Sequence, residues 1–317
     1  MNRLRILLLL AVLALIVALV PAASAQDQTF GLTQEEYDAL VAANDNTASA
    51  TSYDYNLALN LNLAAADEAV VADLQGTGSV KEGFSIALTG TVSAEGDSMP
   101  IQLDVMYVGD ALYVSMDGGA TWYGSTAEEL GQMVTGMAGG MLPVDPSELA
   151  TGDLTGMGDM SNMLSGFENL DPSQFISIKA AADGSTTVYT LTLDLGTMLN
   201  TPEISGLLGA AMASSGSMGT MSATPSTQEA AMMGQMIGSM FATATATVTQ
   251  TIDTAAQLVS STVVNLSIPM DAMGSAGDAI ALSLDLSYSN YNAAAPIVAP
   301  ASFEPLSTLL GGMMGGM

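Results

Sequence analysis

Residues 100–123 read PIQLDVMYVGDALYVSMDGGATWY, two apolar-alternating runs on either side of Gly109-Asp110. A glycine followed by aspartate suits a two-residue type II′ hairpin turn, with the glycine supplying the positive φ. This turn sets Val108 opposite Ala111, and then Tyr107 opposite Leu112, Val105 opposite Val114 and Leu103 opposite Met116, these last three pairs on one wholly apolar face. Asp104 with Ser115 and Met106 with Tyr113 make the other face mixed. A one-residue slip would move every apolar side chain to the wet face, so two runs agreeing about one turn specify a register. A second turn at Asp117-Gly118-Gly119 returns the chain through Thr121-Trp122-Tyr123, which carries the only tryptophan.

The same period of two extends outward. Upstream it holds through Tyr53, Tyr55, Leu57, Leu59, Leu61 and Leu63, then Val70 to Val80, then Phe84 to Val92, predicting an antiparallel meander of about six strands. Gly76, Gly78 and Gly90 in these runs are expected to mark bends or bulges. Downstream, Ile176 to Ala180 and Tyr189 to Leu195 flank a turn at Asp183-Gly184. Strands also follow at Val248 to Ile252, Leu258 to Ile268 and Ile280 to Tyr288. Helical signals lie between the strands. Thr33 and Glu36 form a capping box ahead of Tyr37, Leu40 and Val41, with a polar linker expected at 44–51. Ser125 and Glu128 form another, ahead of Leu130, Met133, Val134, Met137 and Met141. Asp145-Pro146 opens a segment to about Leu170, Thr201-Pro202 starts a helix to about Ala213, and Ser226 with Glu229 caps Met233, Met236, Ile237 and Met240. The expected fold is α+β: a long curved antiparallel sheet of about eleven strands with helices covering one face.

The first 25 residues have the form of a secretory leader: Arg3 and Arg5, an uncharged apolar run from Ile6 to Val20, and Ala23-Ser24-Ala25 as the cleavage site. The chain is expected to be cut after Ala25, to form one domain over 26–300, and to end in a flexible Gly/Met tail over 301–317. A secreted or cell-envelope location follows, with at most transient membrane contact. The alternative for the leader is an uncleaved anchor. The chain carries 32 acidic residues against four basic ones. Only Lys81 and Lys179 lie beyond the leader, so the surface repels nucleic acid and anionic headgroups.

There is no histidine and no cysteine, which removes His- or Cys-based nucleophile systems, thiolate or imidazole zinc sites and a lipid-modified cysteine. Nothing singles out a carboxylate pair for glycosidase chemistry, and no Gly-rich phosphate loop is present. The reading is therefore non-enzymatic, without a cofactor and without a metal site. Asp145, Glu148, Asp153 and Asp159 cluster among glycines but lack a calcium-loop spacing. The protein is expected to be a monomer.

The remaining positive signal is methionine on helical stripes. Thioether side chains adapt to irregular apolar partners, and they also simply fill cores, so both uses stay open. The run Val105 to Val114, with Asp117-Gly118-Gly119 and Trp122-Tyr123, resembles the hairpin of the LppX/LprG family of cell-envelope lipoproteins, relatives of the LolA-like carriers. The closing Leu286 to Asn292 with Pro296-Ile297-Val298 and Pro300 resembles that family's last segment. The resemblance implies a half-barrel closed by helices around an apolar hollow that holds acylated lipids, here without the lipid-anchored cysteine. It makes Leu103, Val105, Tyr107, Leu112, Val114 and Met116 the expected apolar floor, and Met133, Met137, Met233, Met236 and Met240 the expected lid. The implied partner is a lipid or other apolar small molecule. The alternative is a surface module whose hollow is filled by its own Met, Leu and Ala side chains.

Overall fold

The computed structural model of the chain describes residues 29–65, 68–94, 96–126, 129, 171–201, 243–269 and 279–309. Six strands follow one another as a meander: β1 (Ser52–Ala65), β2 (Glu68–Lys81), β3 (Gly83–Ala94), β4 (Asp97–Val108), β5 (Ala111–Ser115) and β6 (Tyr123–Thr126). A second set, β7 (Ile176–Asp183), β8 (Thr186–Asp194), β9 (Thr245–Asp253), β10 (Leu258–Pro269) and β11 (Ala279–Ser289), joins it through the β1–β11 ladder. A two-residue strand, β12 (Glu304–Pro305), lies parallel to β6. The result is one twelve-stranded sheet in the order β12-β6-β5-β4-β3-β2-β1-β11-β10-β9-β8-β7.

The hairpin register follows the sequence pattern, from Asp104 opposite Ser115 to Val108 opposite Ala111. The turn type differs. Gly109 and Asp110 both have positive φ, 59° and 61°, which makes it type I′ rather than II′. Aspartate tolerates the left-handed region, so two positive φ values fit here as well as one.

Because successive ladders stay in register, the alternation of β1 propagates across the sheet. One row runs Leu191, Val248, Val264, Leu284, Leu59, Leu74, Gly90, Ile101 across eight strands. The neighbouring row on the opposite face runs Ser177, Thr192, Thr247, Asn265, Ser283, Asn60, Asp73, Thr91. Over these strands one face is thus largely apolar and the other is hydroxyl- and amide-rich.

The apolar face is covered over β7–β10 by α1 (Gln34–Ala48), by Phe30 and Leu32 ahead of it, and by α2 (Leu195–Asn200). Ile178, Leu193, Ala246, Leu266 and Ile268 are buried there. The capping box of α1 is present in both directions, Thr33 Oγ1 accepting from Glu36 N at 3.3 Å and Glu36 Oε2 accepting from Thr33 N at 2.8 Å. Tyr189 donates to the Glu36 carbonyl at 3.1 Å, which fixes the helix over the sheet.

Several expectations are corrected. The molecule is mostly β, with few helices among the described residues, and the sheet is neither closed nor strongly curled, so it is not a half-barrel. Curling needs bulges, and among the described ladders only β9–β10 shifts register, between Val259 and Ser261. Gly76, Gly78 and Gly90 stay in register instead of bulging. The polar linker at 44–51 continues α1 to Ala48, because Asn44 exchanges amide hydrogen bonds with Gln250 of β9 and Thr47 accepts from Val259 N. The second capping box is displaced by one residue: Thr126 N donates to Glu129 Oε2 at 2.8 Å, while Ser125 sits buried within β6. Leu195 opens α2 with Asp194 as N-cap, instead of ending a strand; the helix expected after Thr201, to about Ala213, and the segment from Pro146 to about Leu170 lie outside the described residues. The leader, the acidic cluster at 145–159, the methionine stripes at 133–141 and 233–240, and residues 310–317 lie outside the described residues.

Candidate functional site

Beyond the part covered by α1, the apolar face continues over β1–β5. Leu57, Leu59, Leu74, Ile86, Leu88, Ile101 and Leu103 are half-buried there, and Phe84 is 39% and Met99 62% exposed. Of the expected floor, Leu103, Val105 and Tyr107 on β4 and Leu112 and Val114 on β5 stand on this one face, with Val105 opposite Val114 and Tyr107 opposite Leu112. Phe84 stacks on Tyr107 with centroids 6.1 Å apart. Met116 lies just past β5 and is 53% exposed. The expected lid methionines lie outside the described residues.

Two glycines shape this surface. At Gly76 a Cβ would meet Leu88 Cδ2 at 2.6 Å, and at Gly78 it would collide with the Tyr55 ring. Each gap is therefore filled by a neighbouring strand's side chain lying flat across it, and Tyr55 Oη reaches the Ser85 carbonyl at 2.9 Å. This keeps the face smooth.

One end of the face is closed by four tyrosines that sequence reasoning missed as a group. Tyr53 lies 5.8 Å from Tyr288 and 5.9 Å from Tyr291, ring centroid to centroid, and 6.4 Å from Tyr55. The alternation of Tyr53 and Tyr55 in β1 and of Tyr288 in β11 was visible, but the pairing of these strands and the return of Tyr291 from the closing segment were not. Burial pushes the Tyr291 hydroxyl up to about 12, and its proton goes to the Val259 carbonyl at 2.5 Å. The closing segment is tied to β1 by Asn292 N on the Ser52 carbonyl at 2.7 Å and Asn290 Nδ2 on Asp54 at 2.6 Å.

Most strand carboxylates stand on the other side, with Asp97 at the start of β4 the exception, in the row of Ala94 and Val70. Asp54, Asp73, Asp104 and Asp285 all alternate onto the polar face. Hydrogen bonds from Asn290 and Ser79 hold the Asp54 carboxyl below the usual range, while burial and the nearby Asp117 push Asp104 up. Among the described residues no three metal-capable side chains converge. The apolar face offers surface rather than reactive groups, so what it can do is hold apolar matter out of water.

No family model and no curated protein matches the chain. Among solved structures it is similar to the Mycobacterium tuberculosis lipoprotein LppX, at 12% identity and a TM-score of 0.29 over 82% of this chain and 97% of that one. LprF from Mycobacterium bovis gives 11% identity and a TM-score of 0.30 over 86% of this chain and 100% of that one. A lipovitellin structure that describes lipid–protein interactions gives 9% identity and a TM-score of 0.29 over 80% of this chain but 26% of that one. The structural similarity to LppX and LprF covers most of the chain at low sequence identity.

Proposed function

We propose that the protein is a secreted or cell-envelope, non-enzymatic binder of lipids or other apolar molecules. The observation that carries this reading is the unbroken apolar face of β1–β5, whose side chains stay half-buried where those of β7–β10 are buried under α1. In this reading Met133, Met137, Met233, Met236 and Met240 are the lid's ligand-lining residues, and Leu103, Val105, Tyr107, Leu112, Val114 and Met116 are those of the sheet. Binding comes from apolar burial, at about 0.8 kcal/mol for each buried methylene, and charge plays no part in it.

A second reading has its own support. The other half of the same face is filled by the chain's own Phe30, Leu32, Tyr37 and Leu40, which is the device a self-filled surface module uses. Native mass spectrometry of protein taken from its own host, followed by organic extraction, separates the two. The binder carries extractable lipid and takes up a fluorescent acyl probe that lipid displaces. Absence of both supports the self-filled module. Leu103→Asn and Val105→Thr should each weaken the probe about tenfold while unfolding stays cooperative.

A further inference from the structure

The polar face carries a built hollow of about 690 Å³ that the apolar reading does not use. Its floor is the polar side of β1–β4, where Asn56, Thr77 and Asp104 share one row. One wall is the 117–122 loop ending in Trp122, and the other is the closing segment at Ser289 and Ala295. The first wall is rigid. Asp117 accepts from Thr121 N at 2.8 Å and from Ser115 Oγ at 2.8 Å, and Ser115 Oγ in turn accepts from Gly119 N at 2.9 Å. Gly119, at φ +82°, lies beside the Trp122 indole, where a Cβ would be in ordinary contact with the ring at 3.5 Å.

The lining selects a chemistry. Asp54 and Asp104 repel anions, and the ammonium of Lys81 is given to the Ala294 carbonyl at 2.9 Å. On the floor Asn56, Thr77 and Asp104 stand beside Ala87 and Met106, so polar groups and C–H surface are mixed, and a purely apolar acyl chain would leave the polar groups buried without partners. A bare cation would want converging carboxylates, but Asp54 already takes hydrogen bonds from Ser79 and Asn290, and it stands three strand spacings, about 14 Å of backbone, from Asp104. The same separation argues against a glycosidase pair, whose carboxyl groups stand within about 10 Å. What remains is a neutral ligand with hydroxyl groups around a rim and an apolar C–H face.

We propose that this hollow is a saccharide-binding site, in which Trp122 is the platform for the C–H face of a sugar ring and Asn56, Thr77 and Asp104 bind its hydroxyl groups. A hollow of this volume takes an oligosaccharide of a few rings. The site is independent of the apolar face, so it can fail or succeed while lipid binding does the reverse.

The single tryptophan makes the test direct. Full-length protein is titrated with the neutral tetrasaccharides of glucose and of mannose while Trp122 emission is followed, with calorimetry as the second readout. Saturable binding is expected with at least one of them. Asp104→Ala and Asn56→Ala should each weaken it about tenfold or more, Asp104→Asn should weaken it less, and Trp122→Ala should abolish the calorimetric signal. Urea unfolding should stay cooperative in Asn56→Ala and Asp104→Ala, which shows that these variants fold. Two results overturn the proposal: no saturable response to any of these sugars, or a response untouched by the floor variants.

Discussion

Gly78 shows how one residue sets the texture of the apolar face. A methyl group there would collide with both the Ser85 carbonyl and the Tyr55 ring, and Tyr55 is itself hydrogen-bonded to that carbonyl. Neither neighbour can retreat without breaking the bond between them. Gly78→Ala should therefore lose about 2–3 kcal/mol in urea unfolding. At Gly109 nothing lies within 4 Å, so Gly109→Ala should lose only the left-handed-backbone cost of about 1–2 kcal/mol. Equal losses at the two sites would overturn this account. The role of Gly78 was not legible in the sequence, because a glycine that bends a strand and one that receives a ring across it look alike until the partner strand is known. Asp54 makes a pH prediction at the same scale. Its folded pKa is lowered by the hydrogen bonds from Asn290 and Ser79. Its contribution is thus complete above the unfolded value of about 3.9 and is lost as pH falls through the lower folded value. Asp54→Ala should flatten the acid limb of the stability–pH curve below about pH 4 and leave the curve above it parallel to wild type.

At the scale of elements, local signals were legible and tertiary ones were not. The hairpin at 100–116 could be registered in advance because turn and alternation lie within one short stretch. The box at Thr33 and Glu36 was legible for the same reason. The continuation of α1 through Asn44–Ala48 was not, since Asn44 and Thr47 are held by Gln250 and Val259, some two hundred residues away. The displaced box at Thr126 depends on β6 taking Ser125 into its ladder opposite Leu112. The α1 cap gives a clean test. Thr33→Ala removes one acceptor for an orphan helix N–H and should reduce stability by about 1 kcal/mol. Because Tyr189 is bonded to Glu36 in the first turn, hydrogen exchange of the first turn of α1 should rise together with that of β8. Fraying of the helix alone, with β8 protection unchanged, would show that this bond does not couple them.

For the whole molecule, the two-faced pattern could be read strand by strand, but the joining of the two strand sets through β1 and β11 could not. No turn links those strands, and any long apolar-alternating partner would satisfy the same pattern. The polar hollow was hidden for a related reason, since β1, β4, the 117–122 loop and the closing segment meet only once the sheet order is fixed. Net charge acts at this scale too. With −28 over 317 residues, the folded state concentrates like charges that the unfolded chain spreads apart. Raising NaCl from about 10 mM to about 500 mM shrinks the Debye length from roughly 30 Å to about 4 Å. The melting temperature should rise by a few degrees over that range, and tetramethylammonium chloride should reproduce the rise at matched ionic strength. If sodium stabilises and tetramethylammonium does not, bound cations rather than screening hold the acidic surface together. A flat or falling melting temperature would mean that the acids are spaced widely enough across the polar face and its loops for self-repulsion to be negligible.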